Sequence, residues 1–370
     1  MVKRLRLLGV ILCVFMFTMA LTGCTSVNNS TAIPLLLKYN SDGQVSYVKA
    51  LWAPERGTLK TSSTPILSYS DSLDVIAVHW QGVDEAIIFT RNAVSDTQGL
   101  QTNGVKINMV SLASSLPYYY EPRVVYTTDE AVFSAAGDYV AKNTLKIFQF
   151  TASEMKEFDV EGLYVLSIGV VDDTVYALVV ESSNQGFVSE PQSNITYWLS
   201  LVTIDNTGTV KQQLVVNSEM DAQHQMYHGE AGYVPTSFIH DSFYFEAPCY
   251  SAFYRVQVTA TTPVLKSMTA IQDDLNKVLS TTCTVNQSYS IEGCRFLVPA
   301  KVYGYGNYLA IIVEDSFYHA IAAFNDKQQL AGFIVRDPLE GEKTNFITFD
   351  ASATKLNTFE LTSPVQVIIP

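Results

Sequence analysis

Apolar residues along this chain gather in short runs, each introduced by a turn-forming polar residue. The clearest is Asp173-Thr174-Val175-Tyr176-Ala177-Leu178-Val179-Val180, a turn residue followed by β-branched, aromatic and aliphatic side chains. The same phrase recurs at 129–133, 241–245 and 307–311, and more loosely at 74–78. Runs of this length and composition, bounded by Asp, Asn and Gly, predict β-strands. After each phrase the chain repeats an order of loop, strand, hairpin turn and strand. Behind 173–180 come a polar loop, a strand over 197–204, the turn Asn206-Thr207-Gly208 and a strand over 211–216. Asn and Gly tolerate positive φ, which suits a tight hairpin. The other copies predict strands at 144–150 and 155–160, at 253–258 and 264–268, and at 318–324 and 330–335. Each unit is read as one small antiparallel sheet opened by its Asp or Asn phrase.

Sheets of three or four strands cannot bury a core singly, but a radial stack of them can. The pattern therefore predicts an all-β fold, a β-propeller of six or seven degenerate blades; the alternative is a large β-sandwich. The opening residues are separated by 44, 68 and 66 residues, so an even repeat period is absent, as are Gly-His and Trp-Asp marks. The resemblance is to propellers of degenerate repeat, at the level of pattern. Strands at 35–39 and 45–51, around the turn Ser41-Asp42-Gly43-Gln44, begin the folded part; 346–349, 356–361 and 365–369 end it. A ring of sheets must close, so strands from the two chain ends are expected to share a blade.

One or two short helices interrupt the pattern. Ile271, Leu275, Val278 and Leu279 fall on one helical face over 269–280, with Thr269 and Gln272 spaced as a capping box. Residues 218–228 form a weaker helical stretch.

The first residues differ in kind. Lys3, Arg4 and Arg6 precede an apolar run over 7–21 and then Leu21-Thr22-Gly23-Cys24. A basic start, an apolar core of that length and small residues before a cut define a secretory signal peptide. The Leu-Thr-Gly-Cys ending resembles the lipobox of bacterial lipoproteins. That resemblance implies acylation of the Cys24 thiol and cleavage before it. The expected organisation is a signal peptide at 1–23, a flexible tether at 24–33 and one domain at 34–370. The expected location is the extracytoplasmic face of the cell membrane, held by the lipid alone, since each buried CH2 contributes roughly 0.8 kcal/mol. Tyr308 to Phe324, the best later apolar run, is broken by Glu314 and Asp315.

The chain has 370 residues, 48% of them hydrophobic and 12% aromatic, ample for a core. Loss of Lys3, Arg4 and Arg6 with the leader takes the formal charge from −13 to −16. Such a surface repels nucleic acid, which is excluded as a partner.

Of five cysteines, Cys249, Cys283 and Cys294 remain after Cys13 and Cys24. A Cys283–Cys294 bridge across the short loop suits an oxidising compartment; three free thiols are the other reading. Asp221, His224 and His228 share a helical face, yet the Glu of a His-Glu-x-x-His site is missing, and a polar surface explains them. Neither a Gly-x-Ser-x-Gly elbow nor a phosphate-cradling loop occurs, so no catalytic residue, metal or cofactor is assigned.

The candidate ligand contacts are Tyr118, Tyr119, Tyr120 and Arg123 before one strand, with Tyr303 and Tyr305 in a similar place. Exposed rings on loops stack on sugars or fill a partner's pocket; otherwise they plug gaps between sheets. The function expected is a membrane-anchored binding module for an envelope protein or glycan. The alternative is an extracytoplasmic enzyme acting on glycans through paired carboxylates.

Overall fold

The computed structural model describes residues 32–70, 72–91, 100–113, 124–137, 144–182, 197–217, 236–247, 252–285, 298–314, 319–338, 344–361 and 366–368. Within these residues the strands form six sheets and one helix accompanies them.

Blade 1 combines Ile33–Ser41, Gln44–Ala53, Thr58–Thr61, Leu67–Ser70 and Gln101–Thr102 with Gln366–Ile368 from the far end of the chain. Blade 2 is Val75–Trp80, Glu85–Thr90 and Lys106–Ser111. Blade 3 is Val124–Thr127, Val132–Gly137, Thr144–Phe150 and Met155–Glu161. Blade 4 is Tyr164–Val171, Thr174–Ser182, Tyr197–Ile204 and Val210–Leu214. Blade 5 is Thr236–Ile239, Ser242–Ala247, Ala252–Gln257 and Val264–Ser267, with Val216–Asn217 along its edge. Blade 6 has six strands, Val298–Tyr305, Tyr308–Glu314, His319–Phe324, Leu330–Pro338, Thr344–Asp350 and Lys355–Leu361.

What makes these sheets a ring is the way their faces pair. Side chains alternate across a strand, and here both faces are buried, against different neighbours. Leu35 and Leu37 pack with Ala310 and Ile312 of blade 6, while Leu36 between them packs with Ala86 and Ile88 of blade 2. Ile87 and Phe89 face Val132 and Phe148 of blade 3. Ala177 and Val179 face Ala135 and Ile147 of blade 3, and Leu178 and Val180 face Phe243 and Val256 of blade 5. Phe253 of blade 5 joins Ile311 and Val313 of blade 6. Six sheets thus share six separate cores in a closed cycle, one between each pair of neighbours. The fold is a six-bladed β-propeller. A sandwich would place two sheets around one common core, so that alternative fails.

Closure is made as expected from the two chain ends: Leu36, Leu37 and Lys38 pair antiparallel with Ile368, Val367 and Gln366. Blade 6 also reaches into blade 1 around a short 3-10 turn, Pro54–Arg56. There the Gly57 carbonyl accepts from Thr348 Oγ1 at 2.9 Å and from Asn357 Nδ2 at 3.0 Å.

Three expectations need correction. The Asp or Asn phrase opens blade 2, where Asp74 precedes its first strand, Val75–Trp80, but not the other blades it marks. In blades 3 to 6 it lies at the turn between the first and second strands, as with Asp172 and Asp173 at φ 47° and 62° between Tyr164–Val171 and Thr174–Ser182. A turn residue marks a hairpin equally well inside a sheet or between sheets, so the phrase could not tell the two apart. Second, the single strand expected at 211–216 is two. Val215 N–H still donates to Leu199 O in blade 4, but Val216 N–H donates to Pro263 O, and the chain passes to the edge of blade 5. Third, the helix runs Thr269–Val285, past Ser280, with Ile271, Leu275 and Val278 buried in the core between blades 5 and 6. The second helical stretch, 218–228, lies outside the described residues.

Candidate functional site

The first strands of blades 2 to 6 follow one another round the ring, each touching the next. In a radial stack the spacing is tightest near the axis, so these strands line the centre. Aromatic rings fill it between blades 3 and 5. Phe238, on the first strand of blade 5, lies over Gly169 of blade 4, where a β-carbon would come within 2.1 Å of the ring. It meets Tyr126 of blade 3 edge-on, with centroids 5.9 Å apart and planes at 87°. Burial raises the Tyr126 hydroxyl above its ordinary pKa, opposed by a backbone hydrogen bond at Val170.

Blades 3 to 6 are antiparallel in their first four strands, so the turns joining strands 1 and 2 and strands 3 and 4 emerge on one face. Between blades 3 and 4 this turn face opens into a groove of about 480 Å³. Its walls include Glu130, Glu157, Asp173, Asp205, Asn206 and Lys156, with Phe133 and Phe158 beneath. Asp205 is wrapped by its own turn: Thr207 Oγ1 donates at 2.6 Å, and the Thr207 and Thr209 N–H groups at 2.9 Å. These donors, Thr207 Oγ1 foremost, hold its carboxyl below the usual carboxylate range. Glu157 is engaged by Lys146 at 2.8 Å. Both carboxylates offer oxygens that can accept hydrogen bonds from a ligand.

Near the axis on the same face, blades 2 and 3 are joined by a histidine. His79 Nδ1 lies 2.9 Å from Thr127 Oγ1, and Nε2 lies 3.1 Å from Asp129 Oδ1. Burial pushes the imidazole below its ordinary pKa of 6.5, and the Asp129 carboxylate opposes that shift without cancelling it. A histidine depressed in the folded state binds fewer protons than in the unfolded chain just below pH 6.5. Stability therefore falls as pH drops through 6.5 toward the folded value, and is flat with respect to His79 above it. In urea titrations between pH 7.5 and 5, the unfolding midpoint of wild type is expected to fall more steeply than that of His79→Gln. Parallel slopes would remove His79 from the acid response.

The structure separates the residues singled out from sequence. Tyr303 and Tyr305 lie within Val298–Tyr305, the first strand of blade 6, and not before a strand as expected; the Gly306 turn follows them. Tyr303 packs into the core between blades 6 and 1, which is the gap-filling role. Tyr305, 36% exposed, stands opposite Tyr308 at the hairpin. The Tyr308 hydroxyl donates to Glu55 Oε1 at 3.4 Å. Tyr118, Tyr119, Tyr120 and Arg123 lie outside the described residues, as do Cys24, Cys249, Cys294 and the trio Asp221, His224 and His228. Cys283 is disulfide-bonded, its partner lying outside the described residues. Among the described residues no three His, Cys, Asp or Glu side chains are grouped to hold a metal ion.

Sequence reasoning missed both the groove and the His79 trio. His79 and Thr127 are 48 positions apart and on different blades, so no spacing could join them. The one signal was His79 itself, a titratable residue in the otherwise apolar run Val75-Ile76-Ala77-Val78.

No family model and no curated relative matches the chain. Among solved structures it is similar to a putative 6-phosphogluconolactonase from Bacteroides uniformis, at 9% identity and a TM-score of 0.34, covering 91% of this chain and 84% of that one. It is also similar to apo AztD from Citrobacter koseri, at 10% identity and a TM-score of 0.33, covering 91% and 97%. An uncharacterized protein, lmo1340 of Listeria monocytogenes, matches at 8% identity and a TM-score of 0.31, covering 91% and 82%. The cyclic pairing of sheet faces, rather than these likenesses, defines the class: a closed six-bladed β-propeller of degenerate repeat.

Proposed function

We propose that this propeller is a lipid-anchored lipoprotein on the extracytoplasmic face of the membrane, serving as a binding module for an envelope protein or glycan. The observation that carries the reading is the sequence Leu21-Thr22-Gly23-Cys24 directly after a basic start and an apolar core. The groove between blades 3 and 4 supports the binding role, because turns from two blades converge there with fixed acceptors at Asp205 and Glu157. Asp205 is held below the usual carboxylate range by its own turn and Glu157 is engaged by Lys146, which suits holding a ligand more than donating a proton to a glycosidic oxygen. Tyr305 at the blade 6 hairpin and the tyrosines at 118–120 are further contacts in this reading. In this reading the disulfide of Cys283 is to Cys294, and non-reducing peptide mapping tests it against pairing with Cys249.

Two experiments test the reading. Cells fed an alkyne-tagged palmitate should label the wild-type protein and not Cys24→Ala, which should accumulate as the uncleaved precursor. Labelling that survives Cys24→Ala would remove the anchor. In-cell crosslinking followed by pull-down should then recover one stoichiometric envelope component, with yield lowered by Asp205→Ala together with Glu157→Ala. Equal recovery from that variant would move binding away from the groove.

A further inference from the structure

The His79 trio lies outside both the packed centre and the groove, and its hydrogen bonding has a direction. A carboxylate only accepts, so in the neutral ring Nε2 carries the hydrogen and donates to Asp129 Oδ1. Nδ1 then holds a lone pair, and the Thr127 hydroxyl at 2.9 Å must donate to it. The imidazole thus stands as a base toward one hydroxyl while a carboxylate fixes its tautomer.

The backbone holds these atoms firmly. His79 is on Val75–Trp80, paired with Ile87. Thr127 ends the first strand of blade 3, in register with Val132. Asp129 sits in the turn between them, closed by Thr128 N–H to Ala131 O at 2.9 Å and by Thr128 Oγ1 accepting from the Glu130 and Ala131 N–H groups. The site is reachable: the His79 side chain is 24% exposed and that of Asp129 62%.

We propose that Thr127 is a base-activated nucleophile, and that this end of the ring carries an acyl-transfer site that hydrolyses an ester. His79 is the general base, Asp129 the residue that positions it, and an ester-linked acyl group the substrate. Thr127 Oγ1 bonds to the ester carbonyl carbon as its proton passes to His79 Nδ1. The bond from that carbon to the ester oxygen breaks, and the leaving alcohol takes the proton from Nδ1. Water then adds to the acyl-threonine, giving a proton to Nδ1, which returns it to Thr127 Oγ1 as the acid departs. The sum is ester and water to acid and alcohol. This activity is independent of the binding role proposed above.

A bare clasp between blades would show the same hydrogen bonds and no chemistry, and reactivity separates the two. Full-length protein in detergent is incubated with a fluorophosphonate, which a nucleophilic hydroxyl attacks with loss of fluoride, and the adduct is located by peptide mass mapping. The expected adduct is on Thr127. Its rate should rise with pH and reach half its plateau below pH 6.5, the ordinary imidazole value, with Asp129 as the charged group facing the ring, Glu130 beside it and Ile87 apolar across the sheet. Thr127→Ser should retain labelling, while His79→Gln should lower it at least 100-fold, in line with the roughly 10²–10⁴ that a positioned base contributes. p-Nitrophenyl acetate should be hydrolysed by wild type above the Thr127→Val background. An unlabelled Thr127 in the folded wild-type protein overturns the proposal, as does an adduct formed equally fast in His79→Gln.

Discussion

Gly169→Ala lowers the stability of the protein by about 1–3 kcal/mol, the usual cost of forcing volume into a packed interior; Gly169→Val lowers it further. The added β-carbon would meet Phe238 ring atoms at 2.1, 2.2 and 2.3 Å, and the ring has little room to retreat. On its other sides it meets Tyr126 at 5.9 Å and Phe243 at 4.8 Å between centroids. Those contacts tie blades 3, 4 and 5 together at the centre. Phe238→Leu alone should also destabilise, by leaving space between the blades. Combined with Gly169→Ala it should cost less than the sum of the two, because the smaller side chain relieves the clash. Urea unfolding of the four proteins measures this cycle. Additive costs, or a Gly169→Ala protein as stable as wild type, would mean that Phe238 does not fill the centre.

Ending the chain after Leu361 removes the strand that closes blade 1. Among the described residues Leu36, Leu37 and Lys38 lose strand partners, so at about 0.5–1.5 kcal/mol for each net backbone hydrogen bond the direct loss is roughly 2–4 kcal/mol. The cost extends beyond those bonds. Leu36 faces blade 2 and Leu37 faces blade 6, so the strand that loses its partner is the one holding both neighbouring cores. Amides of Ile33–Ser41 should then exchange with solvent far faster than those of Thr174–Ser182 in blade 4. A truncated chain with unchanged unfolding midpoint and unchanged exchange would show that the ring is held without its closing strand.

Much of this architecture was legible in the sequence, and the failures have physical causes. The strands showed because β-branched and aromatic runs stop at residues that accept positive φ, such as Asp42-Gly43 and Asp172-Asp173. The blade boundaries did not show. First strands such as Val124–Thr127 and Thr236–Ile239 have four residues, too few for a period to emerge. Second strands such as Tyr308–Glu314 are buried on both faces and read as continuous apolar runs. In blades 3 to 6 the strong strand signal therefore starts at the second strand, whereas in blade 2 it starts at the first. Tyr303 and Tyr305 were visible as aromatic residues near glycines, but they share one face of the strand, and their different exposure depends on how far along it each sits: Tyr303 reaches the core with blade 1, while Tyr305 stands at the hairpin end. The groove and the His79 trio were invisible for a further reason. Each is made where two blades meet, and that juxtaposition exists only once the ring has closed.

The central claim is that the two ends of the chain meet in one blade and close a ring of six. The most direct measurement places cysteines at Lys38 and Gln366, which face each other in the antiparallel register. Directly opposed residues in such a pair have β-carbons about 4.5–5.5 Å apart, near enough for a disulfide or a short bis-thiol linker. Peptide mapping of the folded, oxidised protein should show the segments containing positions 38 and 366 joined. A folded protein in which both thiols stay free and no such link forms would contradict the closed ring.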